Sequence, residues 1–113
     1  MSTDMGIPLT SLGHQQLTVS TTAVALTLPT TTVNGVTKSH RVRHALIQCG
    51  ATNAVRWIAD GATDPTASLG IALAASTALD FTDPMGDYFG IISRIKFIRS
   101  GGADATLDIE YFS

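Results

Sequence analysis

The stretch Val55-Arg56-Trp57-Ile58-Ala59-Asp60-Gly61-Ala62-Thr63-Asp64-Pro65-Thr66-Ala67-Ser68-Leu69-Gly70-Ile71-Ala72-Leu73 carries the only Trp of the chain. It reads as a strand, a long polar turn and a second strand. In the turn, Asp and Thr side chains are suited to capping nearby amides, Gly accepts φ > 0 and Pro fixes φ, so the loop is ordered by its own chemistry. A helix over residues 67–78 is conceivable from the Ala content. Gly70 interrupts it, and Leu69, Ile71 and Leu73 follow period two, which is the strand period.

Working outward, period two recurs. Gln16-Leu17-Thr18-Val19-Ser20 and Ala23-Val24-Ala25-Leu26-Thr27-Leu28 alternate, and Pro29, with no amide to give a ladder, ends the second. Residues 30–37 form a loop or short hairpin about Asn34-Gly35, a pair suited to positive φ. Residues 45–49, 55–58, 69–73 and 78–81 supply further strands. At the end, residues 92–99 and 105–112 alternate around Ser100-Gly101-Gly102-Ala103-Asp104 and predict a closing hairpin, with Arg94, Lys96 and Arg99 across from Asp108 and Glu110. The expectation is an all-β fold of about eight short, mainly antiparallel strands, a β-sandwich or jelly-roll-like domain over residues 14–113.

Residues 1–13 mix Gly6, Pro8 and Gly13 with Met5, Ile7, Leu9 and Leu12 and read as an extended N-terminal arm, either frayed or laid on a neighbour. At 113 residues the chain is long enough for one core without staples. Aromatic residues are only 6%, so Val, Ile, Leu and Ala fill that core. Charged residues are 14%, against roughly 25% in ordinary soluble domains. A neutral, hydroxyl-rich surface suits close packing against other subunits, and equally a bland monomer. Net charge is −2 and argues against nucleic acid as a partner. Its distribution is uneven: up to Arg56 there are four cations and one acid, and from Trp57 onward three cations and eight acids, so +3 faces −5. Opposite halves suit docking between identical copies, but such a distribution is more often only an uneven solvated surface.

Cys49 is the only cysteine and lies in an apolar run, so a buried, inert thiol is expected and an internal disulfide is excluded. The first five residues lack a basic start and apolar run, and no segment approaches the about 18 apolar residues that span a membrane, so neither a secretory leader nor a membrane partner is expected.

Candidate sites are sparse. His40 and His44 share a strand face at about 13 Å, too far apart to chelate one ion. Asp60 and Asp64 lack the regular oxygen spacing and closing Glu of a Ca²⁺ loop. Asp80 and Asp83 form an acid–base pair only if a cleft joins them. No nucleophile elbow, zinc motif, Cys-x-x-Cys or phosphate-binding Gly loop occurs, so neither an enzyme nor a cofactor is expected. Tyr88 and Phe89, in a loop with Pro84, Gly86 and Gly90, are either partner anchors or plugs at the end of the sandwich.

Residues 55–61, 64–68, 69–73 and Ser93-Arg94-Ile95-Lys96-Phe97-Ile98 together resemble small structural proteins of tailed bacteriophages. In that pattern a Val-Arg-Trp strand is followed by Asp-Gly, a Thr-Asp-Pro-Thr-Ala-Ser turn, and a final Gly-Gly-Ala-Asp-Ala-Thr-Leu hairpin. The likeness covers residues 45–113. It departs at Ile58-Ala59, where more polar residues are expected, and in the longer loop over residues 84–90. What it implies is a β-sandwich virion protein, foremost a capsid decoration or cement protein bound to the major capsid protein and to copies of itself as a homo-oligomer. The alternatives are a tail, neck or baseplate accessory protein and, from another class, a carbohydrate-binding module. Met5, Ile7, Leu9, Leu12, Tyr88 and Phe89 are the expected subunit or capsid interface.

Overall fold

The computed structural model describes residues 11–39, 42–83 and 91–113. The fold is all-β. Strands β1 (Ser11–Val19), β10 (Ala105–Phe112), β5 (His44–Cys49) and β8 (Ala78–Thr82) form one antiparallel sheet in that order. Strands β2 (Val24–Ala25), β9 (Lys96–Arg99), β6 (Val55–Ile58) and β7 (Ile71–Leu73) form a second. Strands β3 (Thr30–Val33) and β4 (Val36–Ser39) make a separate two-stranded ribbon. Ten strands therefore stand where about eight were expected among the described residues.

Alternation decides which side chains go inward. In β10 the residues Ala105, Leu107, Ile109 and Tyr111 are buried while their neighbours are half-buried. Ala45, Ile47 and Cys49 of β5 stand opposite Tyr111, Ile109 and Leu107, so one register slip would turn both apolar rows to solvent. The second sheet contributes Val55, Leu73 and Phe97 to the same core, and Trp57 packs edge-on against Phe81 of the first sheet at 5.3 Å. One shared core makes the two sheets a sandwich.

The closing hairpin does not form. β9 pairs with β2 and β6, whereas β10 pairs with β1 and β5, so residues 100–104 cross from one sheet to the other. Period-two alternation is the same for two strands of a hairpin and for two strands facing each other across a core. The predicted ladder of Arg94, Lys96 and Arg99 against Asp108 and Glu110 is accordingly absent: Arg99 pairs with Asp104 at 2.7 Å and Lys96 with Asp64 at 2.8 Å. A second correction concerns residues 92–94, expected as the start of a strand. They form a single helical turn, α1 (Ile91–Arg94), with the Ile95 amide donating to the Ile91 carbonyl at 3.0 Å. Ile92 and Ile95, three apart, are both buried beneath it.

The other local readings stand close to expectation. Asn34 and Gly35 have φ of 53° and 78°, the two positive values a two-residue hairpin turn needs, and they close β3 onto β4. Residues 59–70 form the polar turn between β6 and β7, which pair antiparallel. β7 and β8, adjacent in sequence, lie in different sheets. The stretch expected to be strand over residues 23–28 shortens to β2, and β1 begins at Ser11, inside the segment assigned to the arm.

The turn over residues 59–70 is fastened to β6 by Arg56, whose Nε and Nη1 donate to the carbonyls of Ala67 (3.0 Å) and Gly70 (2.9 Å). Pro65 is buried in it. Gly70 has φ of +130°, and a Cβ there would stand 3.1 Å from the Trp57 carbonyl oxygen and 3.3 Å from Arg56 Cβ. Gly70→Ala therefore combines backbone strain with a clash and is expected to lower stability by about 1–3 kcal/mol, read as a reduced urea midpoint. An unchanged midpoint would show that the turn is not seated on β6.

Candidate interaction surfaces

The outer face of the first sheet is largely polar. His14 of β1 stands opposite Glu110 of β10, with Nδ1 3.4 Å from Glu110 Oε1 and Nε2 3.4 Å from Asp108 Oδ1. Gln16 Nε2 donates to Asp108 at 3.2 Å, and Ser11 Oγ donates to Glu110. Across β10, Leu46 sits opposite Glu110 and is exposed, and beyond it His44 pairs with Asp80 while its ring meets Phe112 edge-on.

Chemically this face is a set of solvated polar contacts in which imidazole, amide and hydroxyl groups meet carboxylates. Glu110 lies between Ser11 and His14, the reverse of a relay in which the imidazole must take the hydroxyl proton. His44, set aside from the sequence as a metal partner of His40 because the two stand too far apart on a strand, is engaged by Asp80; His40 lies outside the described residues. Among the described residues no group of three or more His, Cys, Asp or Glu side chains is arranged to hold a metal ion.

A shallow groove of about 430 Å³ opens where the edge strand β1 meets residues 27–30. Leu12, Gly13, Leu28, Pro29 and Tyr111 line it. Gln15 organises its floor: its Oε1 accepts from the Tyr111 hydroxyl at 2.6 Å and from the Thr27 amide at 3.2 Å. Burial pushes the Tyr111 phenol well above its ordinary range, so it stays a donor to Gln15. Cys49 is buried, and desolvation raises its thiol, opposed by the Gly50 backbone; Sγ rests 3.2 Å from the Asn53 carbonyl. An un-ionised, enclosed thiol is not a nucleophile.

On the second sheet, Asp60 caps the turn after β6. Its Oδ1 accepts from the amides of Thr63 (2.7 Å) and Ala62 (2.8 Å), and these hydrogen bonds, the Thr63 amide foremost, pull the carboxyl from 3.8 down to about 2. Asp64 is held by Lys96. Both carboxylates considered for Ca²⁺ thus serve the local backbone and a lysine.

Of the interface residues read from sequence, only Leu12 lies among the described residues. It belongs to β1, is partly buried against the core and lines the groove, so it is part of the folded domain rather than of the arm. Met5, Ile7, Leu9, Tyr88 and Phe89 fall outside the described residues. Sequence reasoning passed over the ribbon tip, where Val33 and Val36 are 61% and 55% exposed, and the edge at β7, where Ile71 is 58% exposed. The signal for the first was present: valines directly flanking Asn34-Gly35 have nowhere inward to point.

The depressed carboxyl of Asp60 has a pH signature. A group that holds its proton more weakly when folded contributes stability above its unfolded value of 3.8, and loses it as pH falls toward about 2. Asp60→Asn keeps an acceptor oxygen and removes the titration. Its acid limb, followed by urea midpoints through this window, is expected to be shallower than that of the native chain. Superimposable limbs would contradict the capping role.

No protein-family model matches the chain, and comparison with curated proteins and with solved structures returns no match.

Proposed function

We propose that this chain is a structural component of a tailed-phage virion, foremost a decoration protein that binds the outer capsid shell in many copies. The observation that supports the reading best is the character of the surface. Charged residues are only 14% of the chain, and the described surface includes polar faces, an open groove beside β1 and exposed aliphatic side chains at Val33, Val36, Leu69 and Ile71. Such a surface suits extended contact with other proteins better than capture of a small substrate, whose sites are enclosed and mostly apolar. The resemblance of residues 55–73 and 93–98 to phage structural proteins points the same way.

The work of such a protein is thermodynamic. Burying shell surface adds binding free energy to the assembled state and none to free subunits, so the shell is stabilised by mass action without catalysis or a cofactor. The arm is the proposed gripping element, through Met5, Ile7 and Leu9. Tyr88 and Phe89 are proposed as further anchors.

Two measurements test this. Quantitative mass spectrometry of purified particles is expected to find the protein in proportion to the major shell protein; a dozen copies or fewer would place it in the tail, neck or baseplate instead. Deleting residues 2–10, which stops short of β1, is expected to leave the far-UV spectrum and thermal midpoint unchanged while weakening co-sedimentation with assembled shells. Undiminished co-sedimentation would remove the arm from the account.

A further inference from the structure

Asparagine before glycine is chemically labile, because glycine has no side chain to keep its amide nitrogen away from the side-chain carbonyl carbon next to it. The chain holds one such pair, Asn34-Gly35, one carboxyl counterpart, Asp60-Gly61, and one other asparagine, Asn53. The fold treats the three differently. Asp60 Oδ1 accepts from the amides of Thr63 (2.7 Å) and Ala62 (2.8 Å), and a Cβ on Gly61 would stand 3.1 Å from Arg94 Cδ, so the Arg94 side chain covers that glycine. Held in place and ionised, the Asp60 carboxylate is a poor electrophile. Asn53 is half-buried, donates through Nδ2 to the Asp104 carbonyl at 2.9 Å and to the Thr52 hydroxyl at 3.3 Å, and is followed by Ala54, whose methyl group hinders approach to its nitrogen.

Asn34 has none of these restraints. It sits with Gly35 at the tip of the β3–β4 ribbon, where residues 32–37 are all exposed. A Cβ on Gly35 would meet nothing within 4 Å, so its amide nitrogen is open to water and base. Among the described residues, neither the Asn34 side chain nor the Gly35 amide has a hydrogen-bond partner.

The turn itself is weakly secured. Its φ values of 53° and 78° are imposed by the two short strands on either side, which pair Val33 with Val36 and join the Thr32 and Thr37 hydroxyls at 2.9 Å. Those strands belong to neither four-stranded sheet. A lone two-stranded ribbon is marginal in water, so its tip opens at little cost and frees Asn34 to bring Cγ to the Gly35 nitrogen.

We infer that Asn34 is a site of spontaneous covalent modification, at which water converts the asparagine to aspartate and isoaspartate through a ring closed by Gly35. The Gly35 nitrogen gives up its proton and bonds to Asn34 Cγ; the bond from Cγ to Nδ2 breaks, and Nδ2 leaves with that proton as ammonia. Water then opens the cyclic imide. Breaking the new bond at Cγ leaves aspartate, whereas breaking the original bond between the Asn34 carbonyl carbon and the Gly35 nitrogen leaves isoaspartate, with Cβ now in the main chain. One water enters and one ammonia leaves, nothing is oxidised or reduced, and the chain adds one negative charge to its formal −2. Isoaspartate lengthens the turn by one main-chain atom, so the pairing of Val33 with Val36 is lost while both four-stranded sheets are untouched.

The test is to incubate the full-length chain in warm, mildly alkaline buffer, folded and in urea, and to map its peptides by mass spectrometry, locating isoaspartate by enzymatic methylation. In the folded chain the peptide holding Asn34 is expected to gain about 1 Da, as an amide becomes an acid, at a rate within about tenfold of its rate in urea. That rate is expected to rise with pH, since the nitrogen must shed its proton, while Asn53 and Asp60 stay intact in the folded chain. Asn34→Gly keeps a turn of positive φ and is expected to abolish the acquired charge on isoelectric focusing. In the isoaspartyl form the amide resonances of residues 32–37 are expected to move and those of β5 and β10 to stay. Conversion of Asn34 slowed more than about tenfold by folding, conversion of Asn53 or Asp60 as fast as Asn34 in the folded chain, an acquired charge that persists in Asn34→Gly, or unmoved ribbon resonances would each overturn the inference.

Discussion

The structure depends on how its two sheets are laced at one end. There, four connections run between the sheets: residues 20–23 from β1 to β2, 50–54 from β5 to β6, 74–77 from β7 to β8 and 100–104 from β9 to β10. They bond chiefly to one another. Gly50 donates to the Thr106 carbonyl (2.8 Å) and accepts from the Ser76 amide (2.9 Å), Ser100 donates to Ala54 (3.2 Å), Arg99 to Ser20 (3.1 Å), and the Asn53 side chain to Asp104 (2.9 Å). Each bond alone is modest, about 1 kcal/mol net, but together they tie the four crossings to one another and to the strand ends.

That lacing explains what each sheet presents. Because the crossings place neighbouring strands of the sequence on opposite sheets, apolar rows from β5 and β10 meet Val55, Leu73 and Phe97 across one core. The outer face of the first sheet is left to polar contacts such as His14 with Asp108 and Glu110. The second sheet is left with a short terminal strand, β7, and the ribbon is left outside both sheets. Among the described residues, exposed large aliphatic side chains collect at those two places, with Leu46 on the outer face of the first sheet the exception.

Strand identity was largely legible in the sequence, strand partnership was not. Alternation in residues 105–112 and 45–49 marks the inward faces correctly, and Asn34-Gly35 marks its turn through the φ values only such residues adopt readily. Gly101-Gly102 carries no comparable information, since it permits a hairpin and a crossing alike. What separates the two is tertiary: Phe97 and Ile98 are adjacent and both buried, which a strand in a half-exposed hairpin would not show. The helical turn at residues 91–94 has a similar origin, for Ile92, Ile95 and Ile98 fit a spacing of three as well as Ile95 and Phe97 fit a spacing of two. The exposure of Ile71 was least legible, because it depends on which strand lies beside it.

The crossing of residues 100–104 is the claim on which the rest stands, and backbone proton cross-peaks in a nuclear Overhauser spectrum of the isolated chain test it directly. The account predicts inter-strand peaks joining Arg56 with Ile98 and Trp57 with Phe97, and others joining Cys49 with Leu107 and Ile47 with Ile109. It predicts none between the backbones of β9 and β10, which belong to sheets about 10 Å apart. A continuous ladder of peaks between residues 96–99 and 105–108 would restore the closing hairpin and contradict the fold.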